Sequence, residues 1–131
     1  MFLRHNFFGL IWALAIFFMC VLPGNTLPDV SFWSLLSFDK VVHAFMFATL
    51  TILLIVGFIK QQTLPILHYK ALIIVPIACI GYGGVLEVVQ QSLISGRSGE
   101  IIDLVADSIG SLFGVAWFYI VYGKNTYMRK I

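Results

Sequence analysis

His43, Glu87 and Asp107 are the residues of this chain best equipped for chemistry, because each interrupts a run of apolar side chains where an ionisable group is expensive. An imidazole flanked by carboxylates has the parts for proton transfer, which makes these three the catalytic candidates. Around them stand Lys40, Gln90, Gln91, Arg97 and Asp103. Lys40 and Arg97 suit an anionic ligand group, and the amides and Asp103 suit further polar contacts, so these five are the candidate substrate-binding residues. The same residues also have a plain structural reading. Lys40 can snorkel, Asp39 can cap a helix, and Glu87, Arg97, Asp103 and Asp107 can pair to hold helix ends together. Glu87 and Asp107 lie deeper in their apolar runs than a cap requires, which favours function for those two.

Other chemistries find less support. His, Glu and Asp can share a divalent metal, but no pattern places two strong ligands on one helical turn, so a metal would need ligands from three separate segments and none is expected. No cofactor is expected either. The sequence has no Gly-x-Ser-x-Gly elbow, and the glycines before Glu87 lack the Lys and Ser/Thr of a phosphate loop. Cys20 and Cys79 sit inside apolar runs without a partner at metal-binding spacing and read as small buried hydrophobes. Phe17, Phe18 and Met19 are too bulky for cleavage before Cys20, so the first run is expected to stay as a span. Phe45, Met46 and Phe47 read as core or lipid contacts.

The elements that position these groups follow from composition. Of 131 residues, 60% are hydrophobic and 11% charged, and the mean hydropathy is +0.99. Too few charged side chains are present to clothe a water-exposed domain, so the fold class expected is all-α, an integral membrane four-helix bundle forming one domain over residues 1–131. The bilayer is its surrounding partner, and no basic stripe suggests nucleic acid. The apolar runs cover residues 7–22, 41–59, 71–93 and 101–122, and about 16 to 23 residues at 1.5 Å each suffice to cross roughly 30 Å of hydrocarbon. Residues 30–38, rich in aromatics and too short to span, are expected at the membrane interface as a short helix between the first and second spans. Pro76 is expected to bend the third span.

Packing chemistry is concentrated in the last two spans. Gly110 and Gly114 form a Gly-x-x-x-Gly pair, and Gly83 and Gly84 are further candidates for close helix contact. Asp103, Asp107, Gly110 and Gly114 share one helical face, as do Gly83, Glu87 and Gln90, with Gln91 one turn from Glu87. Orientation follows from the basic residues. Arg4, Lys60, Lys70, Lys124, Arg129 and Lys130 fall on one side and only Lys40 and Arg97 on the other, which predicts cytoplasmic termini. His43, Glu87, Asp103 and Asp107 then come within roughly 10 Å of the outer boundary, on three different helices.

The order and spacing of these residues resemble a known family. Asp39-Lys40 with His43 and Phe47, then Gly83-Gly84 with Glu87 and Gln90, then Arg97, then Asp103, Asp107 and Gly110, are similar to the VanZ-like family of small bacterial membrane proteins. That family shows D-K-x-x-H-x-x-x-F, a Glu/Gln helix end, a loop Arg and D-x-x-x-N-x-x-G. The resemblance covers residues 39–114, with Asp107 in place of the usual Asn. It implies a multi-pass protein of the bacterial cytoplasmic (inner) membrane that serves the cell envelope, in a family whose name-giving member is associated with resistance to the glycopeptide teicoplanin.

Three functions fit these features: a pocket that binds or acts on a lipid-linked envelope precursor, a non-enzymatic scaffold whose polar residues clasp the helices, and, ranked last, a small proton-coupled carrier. Gly-x-x-x-Gly serves contacts within a chain as readily as between chains, so no oligomeric state is assigned. The topology has a direct test. A cysteine introduced as Gly99→Cys should react with a membrane-impermeant reagent added outside intact cells and Lys124→Cys should not; the reverse pattern would invert the orientation.

Overall fold

A computed structural model describes residues 2–21, 32–61, 63–66, 70–93 and 101–129, with side chains described for 2–21, 40–61, 63–66, 70–93 and 101–122. Four helices carry the fold: α1 (Phe2–Val21), α2 (Phe32–Lys60), α3 (Ala71–Leu93) and α4 (Ile101–Arg129). Each contains a stretch long and apolar enough to cross a membrane, namely Phe2–Val21, Lys40–Lys60, Ala71–Leu93 and Ile101–Tyr122. No strand occurs among the described residues. The architecture is an all-α four-helix bundle of multi-pass membrane type. The first span begins earlier than the sequence reading placed it, at Phe2, because Arg4, His5 and Asn6 continue the helix without a breaker.

The expected short interfacial helix is not separate. Its residues from Phe32 onward form the opening turns of α2, so the 29-residue helix runs uninterrupted into the second span. The physical reason is local, since no Gly or Pro lies between Phe32 and Lys40 to break the hydrogen-bond ladder. Asp39 therefore lies inside a helix and does not cap one. At 1.5 Å per residue α2 is roughly 43 Å long, more than a hydrocarbon core requires. Pro76 sits within α3, which continues through it.

Cross-helix contacts establish the directions. Asn6 lies against Gly57 and Gly9 against Leu54, while the Trp12 Nε1–H donates to the Met46 carbonyl at 3.0 Å, so α1 and α2 are antiparallel. The Tyr82 hydroxyl donates to the Ala13 carbonyl at 2.6 Å and Gln90 Nε2 to the Cys20 carbonyl at 3.1 Å, so α1 and α3 run together. Lys40 meets Asp103 and Ala44 meets Gly110, making α2 and α4 parallel to each other. The helices thus alternate up, down, up, down. α2 touches all three others and packs most extensively on α4, whereas among the described residues α1 and α4 do not meet, leaving them at opposite corners of a rhombus.

Two buried amides finish helix ends. The last carbonyls of a helix have no partner within it. Gln61 donates to the Phe58 carbonyl at 3.3 Å and to the Leu64 carbonyl at 2.8 Å while its Oε1 accepts from the Leu64 N–H at 2.9 Å, closing the end of α2. Gln90 does the same for α1 from a different helix, through the Cys20 carbonyl. The apolar interior is built by Ile16, Phe47, Leu50, Ile55, Val75, Cys79 and Leu86, with Cys20 and Met46 also buried. The two cysteines are buried and are not joined in a disulfide. Phe45, by contrast, is exposed on the outer surface with Phe8, Ile77, Val88 and Phe113, the apolar exterior that lipid solvates.

Close approach of α2 and α4 is made by small residues on both sides. A Cβ at Gly110 would strike the Ala44 backbone, its Cα at 2.7 Å and its carbonyl carbon at 2.8 Å, and a Cβ at Gly114 would come 2.7 Å from the Ala48 carbonyl oxygen. Ala44 and Ala48, four apart, thus face Gly110 and Gly114, also four apart. Backbone cannot yield as a flexible side chain can. Gly110→Ala should cost about 1–3 kcal/mol through overpacking, whereas at Gly81, where no described atom lies within 4 Å of such a Cβ, alanine should be neutral or stabilising by up to about 1 kcal/mol. Thermal unfolding of the purified variants in one detergent checks both, and equal effects would refute the packing assignment.

Candidate functional site

Three helices deliver His43, Glu87 and Asp107 to one point. α2 brings His43, three residues beyond Lys40; α3 brings Glu87 near its end; α4 brings Asp107 in its second turn. One potential ligand atom from each lies within 4.8 Å of the others. His43 Nδ1 and Asp107 Oδ1 are 2.9 Å apart, both residues almost fully buried at 4% and 1% exposure. Glu87 is the least buried of the three, although its Oε1 is itself shielded. Lone ionisable groups would be costly here, and the hydrogen bond between two of them offsets part of that cost.

The parallel α2 and α4 carry this group on a ladder. Its outer rung is Lys40 Nζ to Asp103 Oδ1 at 3.3 Å, the next is His43 to Asp107, and below them come the contacts of Ala44 with Gly110 and Ala48 with Gly114. Asp103, Asp107, Gly110 and Gly114 supply one face of α4 at spacings of four, three and four, and Lys40, His43, Ala44 and Ala48 lie on the side of α2 turned toward it. Glycine is also needed on the third helix. A Cβ at Gly83 would lie 2.7 Å from Asp107 Oδ2, so the missing side chain makes room for the carboxylate between α3 and α4.

The candidates from sequence divide accordingly. His43, Glu87 and Asp107 converge. Lys40 and Asp103 join as an ion pair one turn nearer the bundle end, with the Lys40 side chain 22% exposed and that of Asp103 8%. Gln90 turns away to the end of α1, where it holds two helices together, and Gln91 is exposed on another face of α3. Both were expected beside Glu87. They are separated from it because positions 90 and 91 lie about 60° and 40° to either side of 87, which is enough for Gln90 to reach α1 while Gln91 faces outward. Arg97 lies outside the described residues. Of the glycines, Gly83, Gly110 and Gly114 stand at close contacts, while Gly84, expected to do the same, has no described atom within 4 Å of where its Cβ would be.

Some contributors carried no signal of their own in the sequence. Ala44 and Ala48 are the counterparts of the glycine pair, and only their spacing of four among bulky neighbours marks them. Ser111 is wholly buried, one turn beyond Asp107 on the same face of α4, and its Oγ has no hydrogen-bond partner among the described residues. Ser108 and Thr49 behave differently, donating at 2.8 and 2.9 Å to the carbonyls four residues before them. Thr51, also buried, lies where it would crowd a Cβ at Gly114.

The arrangement has defined chemical capacity. An ionised Asp107 can only accept, so the proton in its bond to His43 belongs to Nδ1, and Nε2 becomes the basic nitrogen of the ring. An imidazole held in that tautomer by one carboxylate, with a second carboxylate within reach, can take or give a proton or hold a polar ligand group. Comparison with known proteins finds no matching family model, no matching curated protein and no matching solved structure, so the site's chemistry is argued from its own geometry.

Proposed function

We propose that this chain is a VanZ-like protein of the bacterial cytoplasmic membrane whose polar site engages the head of a lipid-linked cell-envelope component. The observation that carries this reading is the convergence of His43, Glu87 and Asp107 from three helices, with Glu87 the least buried of them. The basic residues flanking the spans support an outward orientation, since Lys60 and Lys70 belong to the end opposite the site. In that orientation the site is at the level of the outer leaflet, where envelope precursors and glycopeptide antibiotics meet. Lys40, partly exposed beside Asp103, attracts an anionic head, Glu87 makes polar contacts, and His43 moves a proton or donates a hydrogen bond.

A second reading has specific support. Lys40 with Asp103, His43 with Asp107, and Gln90 with the Cys20 carbonyl each tie two helices together at the same end of the bundle. A purely structural clasp uses the same bonds with no ligand. It explains Gln90 fully, and Glu87, within reach of His43 and Asp107 on a third helix, is the residue on which the two readings differ.

Glu87→Gln separates the two, because His43 belongs to both. With a ligand site, this variant keeps near-normal membrane abundance in a strain lacking the native copy, while sensitivity to glycopeptides and other envelope-directed antibiotics shifts about tenfold or more. Quantitative membrane immunoblots and inhibitory concentrations measure the two quantities. A fall in abundance that accounts for the whole phenotype would assign Glu87 to the clasp.

A further inference from the structure

From the donor set and its spacing we infer that His43, Glu87 and Asp107 form a binding site for a divalent transition cation of the Zn2+ type. The inference shares residues with the proposed function and does not depend on any envelope ligand. An imidazole nitrogen and two carboxylate oxygens are a donor set that borderline cations accept well, whereas Mg2+ favours oxygen ligands and retained water. Three protein ligands with further positions left for water or substrate is the composition of a catalytic site, not of a closed structural one.

The spacing fits. Ligands at about 2.0–2.2 Å from one ion are separated from each other by about 3–4.3 Å. The three potential ligand atoms already lie within 4.8 Å of one another; a cation held through Nδ1 takes the place of the proton that His43 shares with Asp107, and the ring proton moves to Nε2. Electrostatics acts in the same direction, since two carboxylates brought together in a low-dielectric interior are neutralised together by one dication.

An independent feature points into the same place. Side chains on a helix lean toward its N-terminus, which directs the Ser111 hydroxyl toward the turn that carries Asp107. Ser111 is 0% exposed and its Oγ has no partner among the described residues, although the carbonyl four residues earlier is the usual one and Ser108 and Thr49 use theirs. A buried hydroxyl aimed at the site has its hydrogen bond completed by a water on a bound ion. Gly83 acts from the third helix, where its missing side chain leaves the volume that Asp107 Oδ2 occupies.

The test uses the full-length protein, purified, stripped with chelator and reconstituted in nanodiscs without envelope components. Titration calorimetry with Zn2+ should show one equivalent bound, with Mg2+ at least tenfold weaker. Glu87→Gln and His43→Ala should each weaken Zn2+ binding by about tenfold or more, while His5→Ala, at the opposite end of α1, should leave it unchanged. Zinc-edge absorption on the unsubstituted protein should show nitrogen and oxygen ligands near 2.0–2.1 Å; it stays decisive should a variant fail to fold. No stoichiometric Zn2+ binding, equal Mg2+ binding, Glu87→Gln binding at native strength, or sulfur scattering from Cys20 or Cys79 would each overturn the inference and leave adventitious ions only. Because binding is read without any cellular phenotype, the cation site and the envelope function can each fail alone.

Discussion

The backbone-to-backbone approach of α2 and α4, with Gly110 and Gly114 seated on Ala44 and Ala48, is the constraint from which the polar site follows. In a bilayer, helices gain little by burying apolar side chains against one another, because lipid tails are equally apolar. Close packing and hydrogen bonding have to supply the attraction. Where two small-residue faces meet, the helices lock in one register, and here that register sets His43 against Asp107 and, beyond them toward the bundle end, Lys40 against Asp103. A slip of one residue along either helix would rotate those side chains away from each other, so the packing contacts and the polar contacts specify the same alignment.

The third helix is subject to the same logic. Gly83 admits the Asp107 carboxylate, Glu87 follows one turn later on the same side, and the chain from α1 to α3 is fixed independently through the Tyr82 hydroxyl and the Gln90 amide. Both of those donors find backbone carbonyls of α1, which means that α1 contributes acceptors and shape but no ionisable group to the site. Its removal from the ladder is consistent with its position at the corner of the bundle away from α4. The helix ends are handled by amides instead of charges, Gln61 closing α2 and Gln90 closing α1, an economical solution where water is scarce.

Seen in this frame, function and stability are not assigned to separate residues. His43 and Asp107 hold α2 against α4 and also form the chemically capable pair, so a residue-by-residue division between clasp and pocket is too simple for them. Glu87 is where the two roles part. It is half-buried, it belongs to no helix end, and it completes the donor set that His43 and Asp107 begin. Ser111, fully buried one turn inward, extends the polar character below the carboxylate in the same direction.

Hydropathy and charge, both local properties of the chain, determined four apolar spans, an all-α membrane bundle and a common level for His43, Glu87, Asp103 and Asp107. That much is legible because the rise per residue converts sequence position directly into depth. The direction each side chain faces is not local, since the azimuth of a helix is set only when its neighbours arrive. Tertiary structure therefore decided that Glu87 joins His43 and Asp107 while Gln90 closes α1 and Gln91 faces outward, and that Gly83 packs while Gly84 does not. It also turned the segment before Lys40 into the opening of α2, where aromatic composition had suggested a separate element. Three ligand types separated by 44 and 20 residues form no motif, and only the register of three packed helices brings them within 4.8 Å.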